Sequence, residues 1–416
     1  MDDVIVVGAG PAGNNAALGL ASQGYAVTVV DSRHQIGEKL CTGIVGRECT
    51  SRFPIDPALV YREAFSAEVV APSAGHVRFE TATPQAHIID RAAYVASFAH
   101  RAQAAGATYL LGHRVLRVVS EPDGVTVITD GGSHRARSLV LAAGFASPLT
   151  RQLGLGTVSD YVTGAQAEVS TDGVPQVEVY LGRDVAPGFF SWLVPTSPGR
   201  AFAGLLVRQQ AQAHLAKFIQ QQQRDGKITG VICDAACWGI PLRPLRRTYQ
   251  DRVLVVGDAA GQVKPTTGGG IYYSLLASEI ASQVLAEALA AGDLSATRLS
   301  RYQRRWKRLL SRELEVGYSA RRLFEFLNDQ QIGSLVYQAA NNGIHADLLS
   351  SVDTSFDWHS RLIGKVLGHP ALGGALRLIN PLLARMARPP EPGFALPSAN
   401  GGLPDPLVNL PGRPQR

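Results

Sequence analysis

Long apolar runs, charged residues and cysteine are all scarce in this sequence of 416 residues. No stretch of eighteen apolar residues occurs, so we expect no membrane-spanning helix. The N-terminus has no basic segment ahead of its first apolar run, so we expect no signal peptide and a cytoplasmic protein. The few cysteines are too scattered for a disulfide scaffold, and none belongs to a set with zinc spacing, so no metal site is expected. They are Cys41, Cys49, Cys233 and Cys237.

The net charge of +6 raises the question of an acidic partner. In Ser300–Arg312, SRYQRRWKRLLSR, helical spacing places Arg301, Arg304 or Arg305, Arg308 and Arg312 on one stripe, with Trp306, Leu309 and Leu310 on the other side. The stripe is either an ordinary solvated helix face or a contact for anionic lipid headgroups or a phosphorylated substrate. Peripheral membrane contact is therefore one open alternative. Nucleic acid is not expected, because no recognition motif accompanies the stripe.

The chain opens with MDDVIVVGAGPAG, a glycine-rich turn between an apolar strand and a helical stretch over Asn14–Gln23. The glycines of this G-x-G-x-x-G turn are Gly8, Gly10 and Gly13. A second apolar strand ends in Asp31, close to the spacing at which an acid follows the glycines of a dinucleotide site. In such a site the glycines admit a pyrophosphate to the helix N-terminus and the acid meets a ribose hydroxyl. The sequence therefore predicts dinucleotide binding here.

A second glycine-rich segment, Val253–Tyr273, reads VLVVGDAAGQVKPTTGGGIYY. A short apolar strand ends at Asp258, and Gly268, Gly269 and Gly270 precede an apolar helix over Ile271–Ala291. Glycines ahead of a helix let the backbone approach a flat or anionic group, and the helix N-terminus offers unpaired N–H groups. The Asp258 carboxylate can accept hydrogen bonds from sugar-like hydroxyls. The plain alternative is a tight turn without a ligand.

These two segments indicate one extended dinucleotide rather than two ligands. The second segment has no G-x-G-x-x-G and no acid after it, so it is better interpreted as the clamp on the far half of the same molecule. FAD fits, with its ADP half on the first turn and its ribityl chain and flavin on the second. No further G-x-G-x-x-G occurs, so no dedicated NAD(P) domain is expected.

The remaining patterns predict an interleaved α/β organisation. The period-two runs AQAEV, VEVYL and FSWLV indicate an antiparallel sheet. Other patterns predict a helix over Ala92–Gly106, a strand over Leu139–Ala143, and either a last core helix or a membrane-surface segment over Leu372–Met386. We expect a discontinuous FAD-binding domain (1–65, 90–160, 245–295), a substrate domain (66–89, 161–244), a helical region (296–388) and a disordered tail (389–416).

Over about residues 3–370 the sequence resembles the FAD-dependent geranylgeranyl reductases, a family of the p-hydroxybenzoate-hydroxylase-like flavoprotein superfamily. The resemblance rests on GAGPAG, IGEKLCTG, the Asp90-Arg91 pair, GDAAGQVKPTTGGG, and PGFFSWLVP followed by GRAFAGL. It implies a Rossmann-like, glutathione-reductase-like FAD-binding domain, an interleaved antiparallel-sheet substrate domain and a helical C-terminal region. It also implies a geranylgeranyl lipid or diphosphate substrate and NADPH or ferredoxin as reductant.

The resemblance further implies which residues contact FAD. Lys39 is expected to meet a phosphate, Cys41 to lie near the flavin, and Arg91 to reach the cofactor unless it makes only a surface cap contact. The full set of expected contacts is Gly8, Gly10, Ala12, Gly13, Asp31, Ser32, Lys39, Cys41, Thr42, Arg91, Val115, Gly144, Asp258, Gly268, Gly269, Gly270 and Ile271. Ala143 stands where the superfamily usually has aspartate, which weakens any expectation that NADPH is handled as in the hydroxylases.

Phe190, Trp192 and Pro195 lie on one predicted strand, and the spacing of the first two places both rings on one face. They either fill a core or, together with Pro195, form the wall of an apolar tunnel for an isoprenoid chain. Gly204 follows as the family motif requires, whereas Leu206 stands where the family often has a second glycine. We expect this leucine to narrow or reshape the pocket.

An isolated alkene has no carbonyl to take up charge, so its reduction needs a dry cavity that holds the double bond against the flavin and supplies a proton. Gly269 and Gly270 are expected to act through the backbone, because the helix dipole at their position stabilises charge on the reduced flavin. Cys41 and Tyr272 are the two candidate proton donors.

Two other functions share these features. An FAD-dependent monooxygenase or halogenase acting on an apolar or aromatic substrate would have the same FAD sites and a related aromatic strand motif. The halogenase version of that motif has Trp and Ile where this chain has Phe190 and Val194. A lipid-binding flavoprotein without activity is disfavoured, because a binding protein needs no clamp on the flavin ring.

Overall fold

A computed structural model of the chain describes residues 1–38, 41–72, 75–341 and 355–368. The first strands are β1 (Asp2–Val7), β2 (Val27–Asp31), β3 (Ile44–Gly46), β4 (Val60–Ala64), β5 (Ser66–Ala71), β6 (Gly75–Glu80), β7 (Ala86–Ile89), β8 (Thr108–Leu111) and β9 (Val115–Glu121). They are followed by β10 (Gly124–Thr129), β11 (Gly132–Leu141), β12 (Tyr161–Thr171), β13 (Val177–Leu181), β14 (Phe190–Pro195), β15 (Arg200–Val207), β16 (Ile228–Pro241), β17 (Tyr249–Gln250) and β18 (Val253–Val255).

The helices of the described residues connect these strands and form most of the C-terminal part. They are α1 (Pro11–Ala21), α2 (Arg47–Arg52), α3 (Arg91–Ala104), α4 (Pro148–Gln152), α5 (Ala211–Arg224), α6 (Ile271–Ala290), α7 (Ala296–Phe326), α8 (Asp329–Asn341) and α9 (Ser360–Gly368). Two short 3-10 helices lie at Pro57–Leu59 and Gly257–Ala260.

Sheet A contains eight strands and carries both glycine-rich segments. Its order is β17-β18-β11-β1-β2-β8, with β10 and β9 extending from β11. The five strands from β18 to β8 run parallel. Their carboxyl ends therefore share one edge, which is where open α/β sheets bind ligands.

Helices α1 and α6, one from each glycine-rich segment, pack directly against each other. The side-chain amide of buried Asn15 donates to the Leu275 carbonyl at 3.1 Å and to the Ser278 hydroxyl at 2.9 Å. A β-carbon built on Gly19 would be 2.6 Å from Oγ of Ser282. Glycine at this crossing therefore allows the close approach of the two helices.

Sheet C contains seven strands in the order β16-β12-β15-β14-β13-β5-β6, antiparallel except for the β5–β13 pair. One face packs against α5 through residues such as Leu205 and Phe218. The other face carries Trp192, Leu206 and Ile240 toward Val263 of the second glycine-rich segment. The remaining sheet of the described residues, sheet B, contains three strands in the order β3-β7-β4. The expected α/β fold class with an interleaved, largely antiparallel sheet is confirmed, while the domain boundaries remain predictions.

Several predicted segments differ from the observed elements at their ends. Helix α1 begins at Pro11, three residues before the predicted start, because a proline is favoured in the first turn of a helix. Strand β11 begins at Gly132 rather than Leu139, because its first residues pair with β10. Leu309 of α7 was expected opposite the arginines but is 42% exposed, whereas Trp306 and Leu310 are buried. The predictions for Leu372–Met386 and for the tail 389–416 lie outside the described residues.

Candidate functional site

Two close backbone contacts fix the glycine-rich turn after β1. Gly8 has φ +107°, and a β-carbon built on it would be 2.4 Å from the carbonyl oxygen of Ala142. A β-carbon on Gly13 would be 1.8 Å from the carbonyl oxygen of Gly8. Both positions therefore require glycine, because a side chain would push α1 away from the turn or the turn away from β11.

Gly10 differs from these two glycines, because a β-carbon there would meet no atom within 4 Å. Gly10 is also the N-cap of α1, which has no side-chain cap and no acidic residue in its first turn. Open space in front of an uncapped helix N-terminus is the geometry that a pyrophosphate needs. The turn therefore fits the pyrophosphate of a dinucleotide such as FAD, and the contact between Gly10 and FAD remains a prediction.

Asp31 ends β2 and lies beside the same turn. Its Oδ2 accepts a hydrogen bond from the Ala9 N–H at 2.6 Å, and its Oδ1 accepts one from the Arg33 N–H at 2.8 Å. These bonds hold the carboxylate at the carboxyl edge of sheet A, where an acid meets a ribose in dinucleotide sites. Ser32 follows it and is exposed.

Arg91 of α3 holds the loop that precedes β3 at Gly37. Nη2 of Arg91 donates to the carbonyl oxygen of Gly37, and the side chain is only 9% exposed. Burial lowers the pKa of Arg91, and Cys41 lies close enough to raise it. Arg91 is therefore a buried connection between helix and loop, and the alternative of a surface cap contact is wrong. Lys39 lies outside the described residues.

Thr42 connects this loop to sheet C through Gln166. The Thr42 hydroxyl donates to Oε1 of Gln166 at 2.7 Å, and the indole Nε1 of Trp192 donates to the same oxygen at 3.3 Å. The Gln166 side chain is fully buried, and its Nε2 has no hydrogen-bond partner among the described residues. One amide oxygen thus joins a predicted cofactor contact to a predicted substrate contact.

Val115 and Gly144 lie beside the carboxyl edge of sheet A. Gly144 follows β11, has φ +78°, and would place a β-carbon in open space. Val115 begins β9 and packs, half-buried, against the cluster that contains Val7 and Val30. Their contacts with FAD remain predictions.

The second glycine-rich segment folds back on itself before α6. The Lys264 N–H donates to the Gly269 carbonyl at 3.1 Å, and the Gly268 N–H donates to the Lys264 carbonyl at 2.9 Å. Gly270 is the N-cap of α6, whose first residue is Ile271, and this helix has neither a side-chain cap nor an acidic first turn. The helix dipole therefore presents a partial positive charge at the loop.

Asp258 and Gly270 are neighbours across this loop. A β-carbon built on Gly270 would be 2.9 Å from Oδ1 of Asp258. A β-carbon on Gly257 would be 3.0 Å from that of Ala12 in α1. The two glycine-rich segments are thus adjacent, as one dinucleotide bound across both requires.

Sequence reasoning missed Gln262, although it lies inside the motif. Its Oε1 accepts a hydrogen bond from the Gly257 N–H at 2.8 Å, and its Nε2 donates to the Tyr302 hydroxyl at 2.8 Å. Sequence reasoning also missed Lys264 and Asp357, whose Nζ and Oδ1 lie 3.4 Å apart. A lysine between apolar residues was an available signal for Lys264. Asp357 had none, since it lies far along the chain.

Phe190 and Trp192 face the same side of β14, with ring centroids 5.8 Å apart. Strand alternation directs Pro195 to the opposite side, so the structure does not bring it together with the two rings. A β-carbon on Gly268 would be 3.1 Å from Cδ1 of Ile240 and 3.4 Å from Cδ1 of Leu206. The apolar face of sheet C therefore meets the second glycine-rich segment directly.

Tyr272 lies elsewhere, in the core beside α1. Its ring packs against Phe53 at 6.3 Å and Trp358 at 5.6 Å between centroids. Burial raises its pKa to about 12, which makes it a weak acid. The structure does not place Tyr272 in the apolar cluster that contains Trp192.

Comparison with known proteins identifies a matching family and sequence relatives of the chain. The chain matches the family described as "Lycopene cyclase protein" over residues 3–340. Digeranylgeranylglycerophospholipid reductase 2 of Methanothermobacter thermautotrophicus is 30% identical over 362 residues, covering 80% of this chain and 90% of the relative. The protein of the same name from Methanopyrus kandleri is 32% identical over 355 residues, covering 80% and 89%.

Solved structures share the fold. A geranylgeranyl bacteriochlorophyll reductase-like protein from Thermoplasma acidophilum has a TM-score of 0.79 at 22% identity, covering 92% of this chain and 99% of that chain. The halogenase PltM in complex with phloroglucinol and FAD has a TM-score of 0.65 at 14% identity, with 93% of each chain covered. At such identities the likeness shows the fold alone.

Proposed function

The chain belongs to the lycopene cyclase protein family and to the geranylgeranyl reductases, and we propose that it saturates the prenyl chains of a geranylgeranyl glycerophospholipid or of geranylgeranyl diphosphate. It is an FAD-dependent oxidoreductase that acts on C=C bonds. The relatives' printed names specify digeranylgeranylglycerophospholipids, which supports a lipid substrate with two such chains.

One observation carries the proposal: apolar side chains of sheet C touch the loop that is built to clamp a flavin. Leu206 and Ile240 lie within van der Waals distance of the β-carbon position at Gly268, and Trp192 belongs to the same cluster. An isoprenoid chain offers no hydrogen bonds, so it needs such a wall, which excludes water from the double bond. Phe190, partly buried on the same face, extends the wall.

Reduced FAD supplies the hydride when it is bound. The backbone at Gly269 and Gly270, at the uncapped N-terminus of α6, would stabilise negative charge on the ring. Gly10 and Asp31 would hold the pyrophosphate and the ribose of the other half. We assign these roles to an FAD-binding domain and the substrate wall to the sheet C domain, with the boundaries predicted from the sequence.

Cys41 is the proton donor that we propose. It precedes Thr42, whose hydroxyl donates to the same Gln166 oxygen as the indole of Trp192, so it lies beside the point where the loop before β3 meets the apolar face of sheet C. Tyr272 of α6 is the weaker candidate, because its ring packs against those of Phe53 and Trp358 and burial raises its pKa to about 12. The reductant is NADPH or ferredoxin. The absence of a second G-x-G-x-x-G favours an electron donor that binds only transiently.

We also propose that the enzyme contacts the membrane surface through the arginines of α7. Arg304, Arg308 and Arg312 are exposed, and the exposed Leu309 lies among them. A lipid substrate is presented by a membrane, and cationic side chains beside an apolar one are suited to anionic headgroups. Arg305 instead pairs with Glu287 at 3.0 Å. Within the described residues no helix is long and apolar enough to cross a bilayer.

An anaerobic assay tests the function. The purified protein is checked for a flavin spectrum, reduced chemically and mixed with geranylgeranyl diphosphate or a digeranylgeranyl lipid. Flavin reoxidation together with products heavier by pairs of hydrogens supports the proposal. Reoxidation only after air and an aromatic substrate are added would instead identify a monooxygenase, the alternative that the shared fold leaves open.

A further inference from the structure

Lys264 is a buried cation directly behind the proposed flavin clamp. Its side chain is 5% exposed, and its Nζ lies 3.6 Å from the position of a β-carbon on Gly269, with Cε at 2.9 Å. Nζ donates to the Phe356 carbonyl at 3.0 Å and lies 4.5 Å from the centroid of the Phe356 ring. The side chain thus runs under the glycines to the segment just before α9.

Asp357 is the anionic partner of Lys264. Nζ of Lys264 lies 3.4 Å from Oδ1 of Asp357, and Oδ2 accepts a hydrogen bond from the Cys49 N–H at 3.1 Å. A β-carbon on Gly46 would be 2.1 Å from that same Oδ2. Glycine at this position therefore leaves the space that the carboxylate occupies.

The environment makes this pair sensitive to any change in its charge. Burial lowers the pKa of Lys264 and raises the pKa of Asp357, and each group counteracts that effect on the other. The other titratable groups that interact with the pair are Glu48, Cys49, Tyr272, Tyr273 and His359. Charges buried in a medium of low dielectric act over longer distances than exposed ones. If one member of the pair is removed, the remaining net charge therefore changes the electrostatic potential at Gly269.

We propose that Lys264 and Asp357 are positioning residues that set the reduction potential of the flavin held at Gly268–Gly270. The proposal rests on the proposed function, since it takes FAD to occupy this clamp. Reduction adds negative charge to the ring, so the ammonium raises the potential and the carboxylate, placed farther away, lowers it. The charges of the pair therefore determine how readily the flavin accepts electrons from the reductant and how readily it donates them to an unactivated alkene.

The test is the midpoint potential of bound FAD, measured by equilibration with redox dyes at pH 6, 7 and 8. Lys264→Gln is expected to have a lower potential than the wild type, because it removes the positive charge nearest to the clamp. Asp357→Asn is expected to have a higher potential, because it removes the negative charge and leaves the lysine. Shifts of opposite sign are the signature of charge, because loosened packing would move both variants in the same direction.

Two controls accompany these variants. Lys264→Arg keeps the charge and should keep the potential, which also provides a measurable form if the glutamine variant does not fold. Nζ of Lys227 lies 2.7 Å from Oε2 of Glu178, in an ion pair on the α5 side of sheet C. Lys227→Gln breaks this pair and should leave the flavin potential unchanged. Equal potentials in wild type, Lys264→Gln and Asp357→Asn at all three pH values would overturn the inference. A wild type without bound FAD would instead overturn the proposed function.

Discussion

Trp192 lies flat against Gly204 of the neighbouring strand: a β-carbon built on Gly204 would be 2.4 Å from Cε2 and Cζ2 of the indole. The two residues are paired in the register of β14 and β15, so they share one face of sheet C. Gly204 therefore lets the indole cover the strand beside Leu206. This contact determines the shape of the apolar wall.

Gly204→Ala is expected to displace the indole and lower kcat/KM for the prenyl substrate about tenfold or more, which corresponds to about 1.4 kcal/mol. The FAD content should stay at the wild-type level, because the change lies on the substrate sheet. Gly364→Ala is the control, since a β-carbon there meets nothing within 4 Å. Steady-state kinetics and flavin absorbance measure both quantities. An unchanged kcat/KM in Gly204→Ala would show that the wall does not contact the substrate.

Gly10→Ala and Gly13→Ala are expected to fail in different ways. A β-carbon on Gly10 has open space, so Gly10→Ala should fold normally yet bind FAD at least about tenfold more weakly, because its methyl group occupies the pyrophosphate position. A β-carbon on Gly13 would clash with the Gly8 carbonyl, so Gly13→Ala should lower the thermal midpoint of the apoprotein itself. Calorimetry of flavin-free protein and FAD titration separate the two effects. Normal FAD affinity in Gly10→Ala would contradict the assignment.

The features that sequence predicts well here are local ones. Gly8, Gly13 and the uncapped start of α1 follow from a motif in which each residue has a steric role, so the turn could be predicted from spacing alone. The same holds for Phe190 and Trp192, whose common face follows from strand alternation. Pro195 was included with them although the same alternation places it on the other face.

The features that sequence did not predict depend on contacts between distant residues. The role of Gln166 could not be predicted, because it depends on sheet C, which places the Gln166 amide between Thr42 and Trp192. Asp357 reaches Lys264 across 93 positions, and no pattern around it marks a buried acid. The exposure of Leu309 also could not be read from helical spacing, because the position of the neighbouring helix decides which flank of α7 is covered.

Thr42→Val is expected to remove the hydrogen bond that connects the loop before β3 to Gln166. The free energy of unfolding should fall by about 1 kcal/mol, because Gln166 stays buried with one donor fewer. KM for the prenyl substrate should rise as well, since the amide that orients Trp192 is less restrained. Thr42→Ser retains the hydroxyl and should restore both values. Urea unfolding and kinetics provide the readouts, and a serine variant as impaired as the valine variant would exclude the hydroxyl as the cause.

Reversing charge on α7 is expected to weaken binding to anionic membranes. Arg304→Glu with Arg308→Glu should lower the partition coefficient on vesicles that contain phosphatidylglycerol, measured by sedimentation, by about thirtyfold or more, because each of the two basic residues near such a surface contributes about 1 kcal/mol. Lys217→Glu with Arg224→Glu, exposed on α5, is the matched control and should bind like the wild type. Equal losses in both double variants would indicate a general charge effect rather than a docking surface.

His359, two residues after Asp357, is expected to make the folded protein less stable in acid. Nδ1 of His359 lies 2.5 Å from the Thr266 hydroxyl, its Nε2 lies 2.9 Å from the Phe356 carbonyl, and burial lowers its pKa to about 3. The unfolded chain therefore takes up a proton near pH 6.5, while the folded protein does not until about pH 3. The free energy of unfolding should fall as the pH drops from 6.5, by up to about 1.4 kcal/mol per pH unit.

His359→Asn isolates this contribution, because an amide stays neutral at every pH and its oxygen can still accept from Thr266. Urea unfolding of both proteins at pH 7, 6 and 5 gives the comparison. The difference in stability between wild type and variant should move in favour of the variant as the pH falls, because only the wild type contains an imidazole whose protonation favours the unfolded chain. Carboxylates titrate in both proteins and cancel in this difference. Parallel pH dependences would mean that His359 is accessible to protons in the folded state, and that the start of α9 does not shield the second glycine-rich segment from solvent.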